Sequence, residues 1–271
     1  MLRAADVEFA YRQALVLKGA SLEVPTGGFV GILGPNGSGK TTMLKVLAGT
    51  IRPSRGTVSI DGIDLSRISR TALARRMAVV PQETHLAFDY TVLETVLMGR
   101  YPHLGAFEVE GPADVAIARD ALAATGTSGF ENRLFATLSG GEKQRVIIAA
   151  ALAQIRGDSD SRGAYLLLDE PTAALDLAYQ LEVSTLLREL QQQRPLTIVV
   201  STHDLNFAAG VCRSLVLLSE GRVLASGATA EVLTPVNIRS LYGVEADVRQ
   251  HDGAGHLVVV PMSRVQTGAD A

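Results

Sequence analysis

The sequence has 271 residues, of which 47% are hydrophobic, enough for one large domain or two modest ones with a real core. Its net charge of −3 contains no long run of one sign, which argues against a nucleic-acid groove, normally marked by a basic stripe. A single cysteine, Cys212, excludes an internal disulfide and a cysteine-rich metal site. The N-terminus lacks the apolar region of a secretory signal, and no apolar stretch reaches the ~20 residues of a membrane helix. We therefore expect a chain that is soluble by itself and reaches a membrane only through another protein.

The pattern of residues along the chain predicts an α/β fold. Residues 1–30 read as strands, and the continuously apolar "FVGIL" (29–33) follows as a strand of a buried parallel sheet. A helix comes after the glycine-rich "GPNGSGKTT". An exposed strand pair (56–65) and a short strand (77–82) precede residues 89–155, which are alanine-rich and helical without a clear strand. Strands and helices then alternate, with a helix at 174–193, a polar loop at 157–163 and a tail from about 244 whose one strand is "HLVVVP". We read a doubly wound α/β core interrupted by a mostly helical insertion.

The segment "GPNGSGKT" (34–41) carries the strongest chemical signal. It fits the pattern G-x-x-x-x-G-K-[ST] and lies between a predicted strand and a predicted helix, the context that this phosphate-binding loop requires. Its glycines allow consecutive N–H groups to surround phosphate oxygens, and the helix start adds a positive dipole end. Lys40 would reach the β- and γ-phosphates, and Thr41 would place its hydroxyl on Mg²⁺. The alternative is a glycine-rich turn with an incidental lysine.

An acidic pair, Asp169 and Glu170, follows the apolar strand "YLLL". The carboxyl edge of a parallel sheet is where such folds bind ligands, so Asp169 would hold Mg²⁺, through water. Alternation of side chains along a strand would turn Glu170 elsewhere, toward an attacking water. The alternative is a pair of solvated loop acids.

Three further residues carry weaker signals when each is read in isolation. His203 and Gln82 each follow a predicted strand, where most such residues only satisfy the loop, and Tyr11 reads better as core packing than as a stacking platform. A glycine pair, Gly140 and Gly141, begins a predicted helix about a hundred residues beyond the phosphate loop. Each glycine costs roughly 0.5–1 kcal/mol relative to alanine, so something is expected to approach the backbone closely there.

Taken together, these segments resemble the ATP-binding subunits of ABC transporters. The order along residues 1–230 is that of the family: an early aromatic, the Walker A loop (34–41), the Q-loop glutamine, the signature "LSGGE" (138–142), the Walker B "YLLLDE" (165–170), the D-loop "AALD" (173–176) and a switch histidine. The resemblance implies a P-loop NTPase core of the RecA type and an antiparallel β subdomain, which together cover about 1–88 and 156–243. It also implies an inserted α-helical subdomain (about 89–155) and a short tail (244–271).

The resemblance also implies a role for each motif residue. Tyr11 would stack on adenine, Gln82 would sense the metal and the water, Glu170 would be the general base, and His203 would contact the γ-phosphate. Asp169 would support Mg²⁺ together with Thr41 and Gln82, and Asp176 would lie at the dimer seam. The residues implied to hold the phosphates of ATP are Gly34, Pro35, Asn36, Gly37, Ser38, Gly39, Lys40, Thr41 and Thr42. The signature residues Ser139, Gly140, Gly141 and Glu142 would serve the ATP of a second copy, so that two subunits enclose two ATPs.

The segment "VLMGRYPHLG" (96–105) and the "ALAQ" at 151–154 look like the branch that imports iron–siderophore, haem or vitamin B12 complexes. That branch implies transmembrane permease subunits as partners, an indirect link to a solute-binding protein, no nucleic acid, and a peripheral position on the cytoplasmic face of the inner membrane. The segment from Gln82 to about 107 would dock on the permease. Two departures stand out: Ala150, where the family often has arginine, and the loop 157–163, which lengthens the connection between signature and Walker B.

Two other functions fit part of the sequence. A non-transport ABC ATPase of DNA repair or translation would carry coiled-coil arms, zinc-binding cysteines or two cassettes, none of which this sequence has. A P-loop kinase or GTPase switch would leave "LSGGE" without a purpose.

Overall fold

A computed structural model describes residues 1–84, 86–156, 163–173 and 175–265. The strands are β1 (Leu2–Tyr11), β2 (Ala14–Val24), β3 (Phe29–Leu33), β4 (Arg55–Ile60), β5 (Ile63–Asp64), β6 (Met77–Val80), β7 (Ala164–Asp169), β8 (Leu196–Thr202), β9 (Ser214–Ser219), β10 (Arg222–Ala228), β11 (Val244–His251) and β12 (His256–Arg264). The α-helices are α1 (Lys40–Leu47), α2 (Arg70–Arg76), α3 (Val92–Leu97), α4 (Pro112–Ala124), α5 (Gly140–Ile155), α6 (Leu177–Gln193), α7 (Leu205–Val211), α8 (Thr229–Val232) and α9 (Pro235–Tyr242).

The chain divides into two compact units. The first comprises residues 1–24, 28–59 and 200–271, and the second comprises residues 25–27 and 60–199. The strand β8 contributes its last three residues to the first unit and the others to the second. No described helix combines the length and the apolar character needed to cross a membrane.

The first unit is built around β3, every residue of which is buried. On one side β3 pairs in parallel with β9, which pairs antiparallel with β10, and on the other side it neighbours β8. A separate sheet contains β2, β1 and β4, in which β1 and β2 pair antiparallel, and the hairpin of β11 and β12 forms a third. The continuously apolar β3 and the helix after the glycine-rich loop are as predicted, because a strand buried on both faces needs no polar residue.

In the second unit β7 lies between β6 and β8, and β6 pairs with β7 in parallel. The helix α5 packs against β6 and β7 on one side and against α3 and α4 on the other. Residues 89–155 are helical, as predicted, and their helix starts follow from local chemistry. Thr91 and Glu94 form a capping box at α3, and Pro112 occupies the first turn of α4.

Three predicted elements differ from the structure. The helix predicted over 174–193 begins at Leu177, because the Asp176 side chain caps it by accepting a hydrogen bond from the Tyr179 N–H at 3.1 Å. The tail holds a second strand, β11, in addition to the one that was predicted. The predicted loop 157–163 lies outside the described residues except for Gly163.

Candidate functional site

The glycine-rich loop between β3 and α1 is shaped by close backbone approach. A Cβ atom on Gly34 would collide with the Leu218 carbonyl oxygen and the Ser38 hydroxyl, so only glycine fits there. Gly37 and Gly39 have φ angles of 80° and 104°, which disfavour any residue with a side chain. The loop is also held from outside, because the Gly221 N–H donates to the Ser38 carbonyl at 3.0 Å. These contacts and backbone angles fix the loop as a tight turn at the start of α1.

The side chains of Lys40 and Ser38 are the two in this loop whose surroundings bear on ligand binding. The Lys40 ammonium donates to the carbonyl oxygens of Gly34 and Pro35 at 2.9 and 3.1 Å, which curls the buried side chain back over the loop. The Ser38 hydroxyl is buried and has no hydrogen-bond partner within the part of the chain that the structure describes. Because a buried hydroxyl without a partner is costly, it points to a ligand with acceptor oxygens. With Lys40 and the dipole of α1 close by, a phosphate group would satisfy this need.

The other two candidate residues of the first unit lie at strand ends. Tyr11 is the last residue of β1, is 45% exposed, and meets Phe9 edge-on with ring centroids 4.9 Å apart. The alternative reading of Tyr11 as core packing is therefore wrong. His203 is exposed and follows β8, and the next residue, Asp204, caps α7.

In the second unit, β7 ends at the buried Asp169, and Glu170 leaves the strand. The argument from strand alternation does not apply to Glu170, because β7 ends at Asp169. Glu170 adopts a positive φ of 46°, and its carbonyl accepts the Ala173 N–H at 3.0 Å, so a left-handed turn sets its direction instead. Such a conformation costs a non-glycine residue about 1–3 kcal/mol and concentrates at functional sites.

Gln82 lies at the same edge of the sheet as this acidic pair. In the parallel register of β6 and β7, Val80 pairs with Leu168. Gln82 and Glu170 each follow the paired residue by two positions, and Gln82 is exposed. The second unit thus brings Gln82, Asp169 and Glu170 to one set of strand ends, as ligand sites in open α/β sheets require.

The signature segment forms a capped helix start. The Ser139 hydroxyl accepts the Glu142 N–H at 3.3 Å, and the Glu142 carboxylate accepts the Ser139 N–H at 2.7 Å, which completes a capping box for α5. The hydrogen bond from the Ser139 backbone is the main reason that the pKa of Glu142 lies below its usual value, with nearby Arg133 and Arg145 adding to the effect. Gly140 is exposed at this helix start.

Tyr179, which the sequence analysis did not single out, lies against the signature. A Cβ on Gly141 would collide with the Tyr179 ring and come within 2.9 Å of its Cβ, and the Ser139 hydroxyl donates to the Tyr179 hydroxyl at 3.5 Å. Through its N–H bond to Asp176, Tyr179 also connects the signature to the end of the predicted D-loop, whose Ala174 lies outside the described residues. The sequence signal that could have pointed to Tyr179 is its position, an aromatic residue three positions after the aspartate that caps α6.

The two segments that suggested the importer branch meet in the structure. The Arg100 guanidinium donates to the carbonyl oxygens of Ala153 and Arg156 at 2.7 and 2.6 Å, and the His103 Nε2 lies 2.7 Å from the Gln154 carbonyl oxygen. Gly99 lies against the Ala150 carbonyl, leaving no room for a side chain on Gly99. The residues 98–103 therefore close the C-terminal end of α5, the helix that starts at the signature.

The candidate residues are distributed between the two units. The first holds Tyr11, the loop 34–42 and His203, whereas the second holds Gln82, residues 139–142, Asp169, Glu170 and Asp176. A strand, a glycine-rich loop with an inward lysine and a following helix, together with an acidic strand end, define the class of P-loop nucleotide-binding proteins.

Comparison with known proteins narrows this class. The model of the ABC transporter family matches residues 17–173, which is more than half of the chain. The hemin import ATP-binding protein HmuV of Gloeobacter violaceus is 43% identical over 97% of this chain and 94% of its own length. The cobalamin import ATP-binding protein BtuD of Halobacterium salinarum is 39% identical over 98% of this chain and 64% of its own length.

Solved structures agree with this result. The subunit of an ABC transporter of proposed metal-chelate type, in an inward-facing conformation, superposes with a TM-score of 0.82 at 30% identity, covering 96% of both chains. The dimeric bacterial ABC transporter cassette MJ0796 gives a TM-score of 0.72 at 30% identity, covering 84% of this chain and 99% of its own. The chain belongs to the ABC transporter family, as its ATP-binding ATPase component. The predicted family and fold class are confirmed.

Proposed function

We propose that this chain binds and hydrolyses ATP to drive uptake of a metal chelate through a membrane permease. The observation that carries the proposal is the pairing, in one chain, of a complete phosphate loop and a second anion-type helix start at Ser139, placed on the other compact unit. A nucleotide switch or kinase needs only the first of these. The near full-length relationship to a haemin import protein, and the match of nearly all of this chain to part of a cobalamin import protein, support the direction of transport and the type of cargo.

The first step is ATP binding by the chain's own loop. Lys40 and backbone N–H groups of the loop 34–42, in which Pro35 has none, would hold the phosphates, and the Ser38 hydroxyl would donate to one of their oxygens. The exposed Tyr11 ring would stack on adenine. Mg²⁺ would be held by the hydroxyl of Thr41, the carboxylate of Asp169 and the amide oxygen of Gln82, which supply the oxygen ligands that it prefers. When bound, the ion would neutralise charge on the phosphates.

Hydrolysis would then depend on residues that follow strands. Glu170 would accept a proton from the attacking water, and its left-handed backbone would fix the direction of the carboxylate before ATP binds. Gln82 would contact the water and the metal, and His203 would donate to the γ-phosphate. Each of these residues lies at a loop start, where a side chain can reach a ligand while the strand behind it stays packed.

A second copy would complete each site. Ser139, Gly140, Gly141 and Glu142 would close on the γ-phosphate held by the partner subunit, and Asp176 would lie at the seam between the subunits. The capped start of α5 supports this proposal, since it offers N–H groups, a hydroxyl and a positive dipole end to an anion. The dimeric form of the related cassette supports it as well. ATP binding would therefore close a homodimer, and hydrolysis would open it.

The closing motion would pass to the permease through residues 82–107. Phe88, Tyr101 and Phe107 in this segment expose most of their side chains to solvent, as expected of a surface that a partner covers. The subunit would then lie peripherally on the cytoplasmic face of the inner membrane. A solute-binding protein on the other side would deliver an iron–siderophore, haem or vitamin B12 complex.

The Glu170→Gln variant tests the ATPase part of this proposal. It keeps the size of the side chain but removes the base, so we expect ATP binding with a stable dimer and turnover reduced on the order of 10²-fold or more. Dimerisation is measured by light scattering with ATP, and turnover by phosphate release. Hydrolysis near the wild-type rate would rule out Glu170 as the base.

Uptake by cells tests the importer part. A strain lacking this gene is complemented with the wild type or with Glu170→Gln, and the uptake of radiolabelled haemin, cobalamin and a ferric siderophore is compared. We expect one of the three chelates to accumulate only with the wild type. Equal uptake of all three chelates by the two complemented strains would contradict a role in metal-chelate import. The ATPase assignment would then still depend on the turnover of Glu170→Gln.

A further inference from the structure

The C-terminal segment from α9 to β12, residues 235–264, has no role in the mechanism proposed above. It folds as a short helix followed by a two-stranded hairpin, and β12 packs on α7. The helix α7 begins two residues after His203. The segment therefore lies against the helix that follows the proposed γ-phosphate contact.

A first contact reaches His203 itself. Tyr242 is the last residue of α9, which ends at Gly243 in a left-handed conformation with φ of 64°. The Tyr242 hydroxyl donates a hydrogen bond to the His203 carbonyl oxygen at 3.3 Å. This bond holds the backbone of the histidine and leaves the imidazole to other partners.

A second contact holds the first turn of α7. The side-chain amide of Asn206 donates to the Val259 carbonyl at 3.2 Å and accepts the Val259 N–H at 2.8 Å. Both groups of one amide are thus committed to one residue of β12. This pair fixes the orientation of the turn as well as its distance from the hairpin.

The same turn is also held from within. The Asp204 carboxylate accepts the N–H groups of Asn206 and Phe207 at 2.9 and 3.0 Å, and the Asp204 N–H donates to the Thr202 hydroxyl at 3.0 Å. One turn further along α7, a Cβ on Gly210 would come within 3.2 Å of the His256 Nε2, so helix and hairpin approach closely there too. His203 is consequently the exposed member of a loop anchored on both sides.

We propose that residues 235–264 act as a brace that positions the switch histidine for hydrolysis, with Tyr242 and Asn206 as positioning residues. This inference rests on the proposed function, because it takes His203 as the contact to the γ-phosphate. Fixing a loop before the substrate arrives lowers the entropy lost in reaching the transition state, and small displacements of a contact group reduce the rate strongly. Removing the brace therefore lowers the turnover number without changing how ATP binds to the Walker A loop.

The test uses Tyr242→Phe, which removes only the hydroxyl, and Asn206→Leu, which removes both amide bonds. The matched control is Arg239→Gln, which breaks the exposed Arg239–Glu245 ion pair (3.1 Å) of the same segment without contacting the switch loop. In the purified full chain, we expect kcat for ATP hydrolysis to fall about two- to tenfold in the first two variants, the range for the loss of one or two hydrogen bonds. The KM for ATP and the melting temperature should match those of the control.

Hydrogen exchange gives a readout that does not depend on hydrolysis. Amides of residues 203–207 should exchange faster in Tyr242→Phe and Asn206→Leu than in Arg239→Gln, with no change at residues 34–42. Unchanged kcat and unchanged exchange in both variants would overturn the brace, and so would a loss of kcat accompanied by a matching rise in KM and fall in melting temperature. A wild-type chain without ATPase activity would instead refute the proposed function, while the exchange data would still decide the brace.

Discussion

Gly141 and Gly140 are neighbours in the signature, yet their surroundings differ. Among the described residues, a Cβ on Gly140 would meet only the Leu175 Cδ2 atom at 3.5 Å, an ordinary contact distance. A Cβ on Gly141 would strike the Tyr179 ring and approach the Tyr179 Cβ, so rotation of the ring alone cannot relieve the overlap. One of the two glycines is therefore required by the subunit's own fold, in addition to any ligand.

The matched pair Gly141→Ala and Gly140→Ala separates these requirements. We expect Gly141→Ala to lower the free energy of unfolding by about 1–3 kcal/mol, the usual cost of overpacking. Gly140→Ala should leave it unchanged or raise it by up to about 1 kcal/mol, since alanine favours the helix. Urea denaturation of both variants measures the difference. Adding Tyr179→Ala should restore much of the loss caused by Gly141→Ala, and equal effects of the two alanines would contradict the packing argument.

The helix α5 is fixed at both ends. The capping box of Ser139 and Glu142 sets its start, whereas Arg100 and His103 bind the carbonyl groups of its last turn. The Gln154 side chain adds bonds to the carbonyl oxygens of Ala74 and Met77, at 2.8 and 3.0 Å, so the same turn is tied to the start of β6. Gln82 follows β6 by two residues. The helix α5 therefore links the signature at its start to the strand that precedes Gln82, through the hydrogen bonds of Gln154.

Arg100 is the residue on which this connection depends most. Its guanidinium pairs with Asp114 at 2.9 Å, the two side chains being 6% and 16% exposed, and it also satisfies two carbonyl groups. We expect Arg100→Gln to cost about 3–5 kcal/mol of unfolding free energy, as for other broken buried pairs. The exposed pair Arg119–Glu131 (58% and 28% exposed) is the control, and Arg119→Gln should cost less than about 1 kcal/mol. Similar losses of unfolding free energy in Arg100→Gln and Arg119→Gln would contradict a larger contribution of Arg100 to stability.

The pH dependence of this comparison provides a second check. The hydrogen bond from Arg100 is the main cause that lowers the pKa of Asp114 in the folded chain. A lowered pKa stabilises the fold above the unfolded value and loses that effect as pH falls through the folded value. The stability advantage of the wild type over Arg100→Gln should therefore shrink as the pH falls below about 4, the ordinary pKa of aspartate.

The sequence allowed a prediction of those elements whose chemistry is local. The loop 34–41, the buried β3 and the acidic end of β7 follow from residues adjacent in the chain, and the structure contains each of them. The contact between Tyr179 and Gly141 joins residues far apart in sequence, and no local pattern encodes it. The strand β11 was missed although its first six residues, "VEADVR", alternate between apolar and charged residues. Strand alternation did not apply to Glu170, because β7 ends one residue earlier than predicted and Glu170 has a positive φ.

At the scale of the whole molecule, each subunit is proposed to carry two half-sites for two different ATP molecules. Lys40 would act on the ATP of its own chain, whereas Ser139 would act on that of the partner subunit. Glu170, like Lys40, would serve the chain's own ATP. Mixed dimers of two inactive variants can test this distribution. They regain an intact site only when the two substituted residues are supplied to a site by different subunits.

Mixing Lys40→Ala subunits with Ser139→Ala subunits should restore activity. In half of the dimers, the intact Lys40 of one chain faces the intact Ser139 of the other, so about one quarter of the wild-type composite sites are regenerated. Mixing Lys40→Ala with Glu170→Gln is the control, because every site in those mixed dimers lacks one of the two residues. ATP hydrolysis is measured at equal total protein, with each variant alone as the baseline. A Lys40→Ala and Ser139→Ala mixture no more active than its components would contradict a site shared between subunits, whereas activity in the control mixture would mean that Lys40 and Glu170 serve different nucleotides.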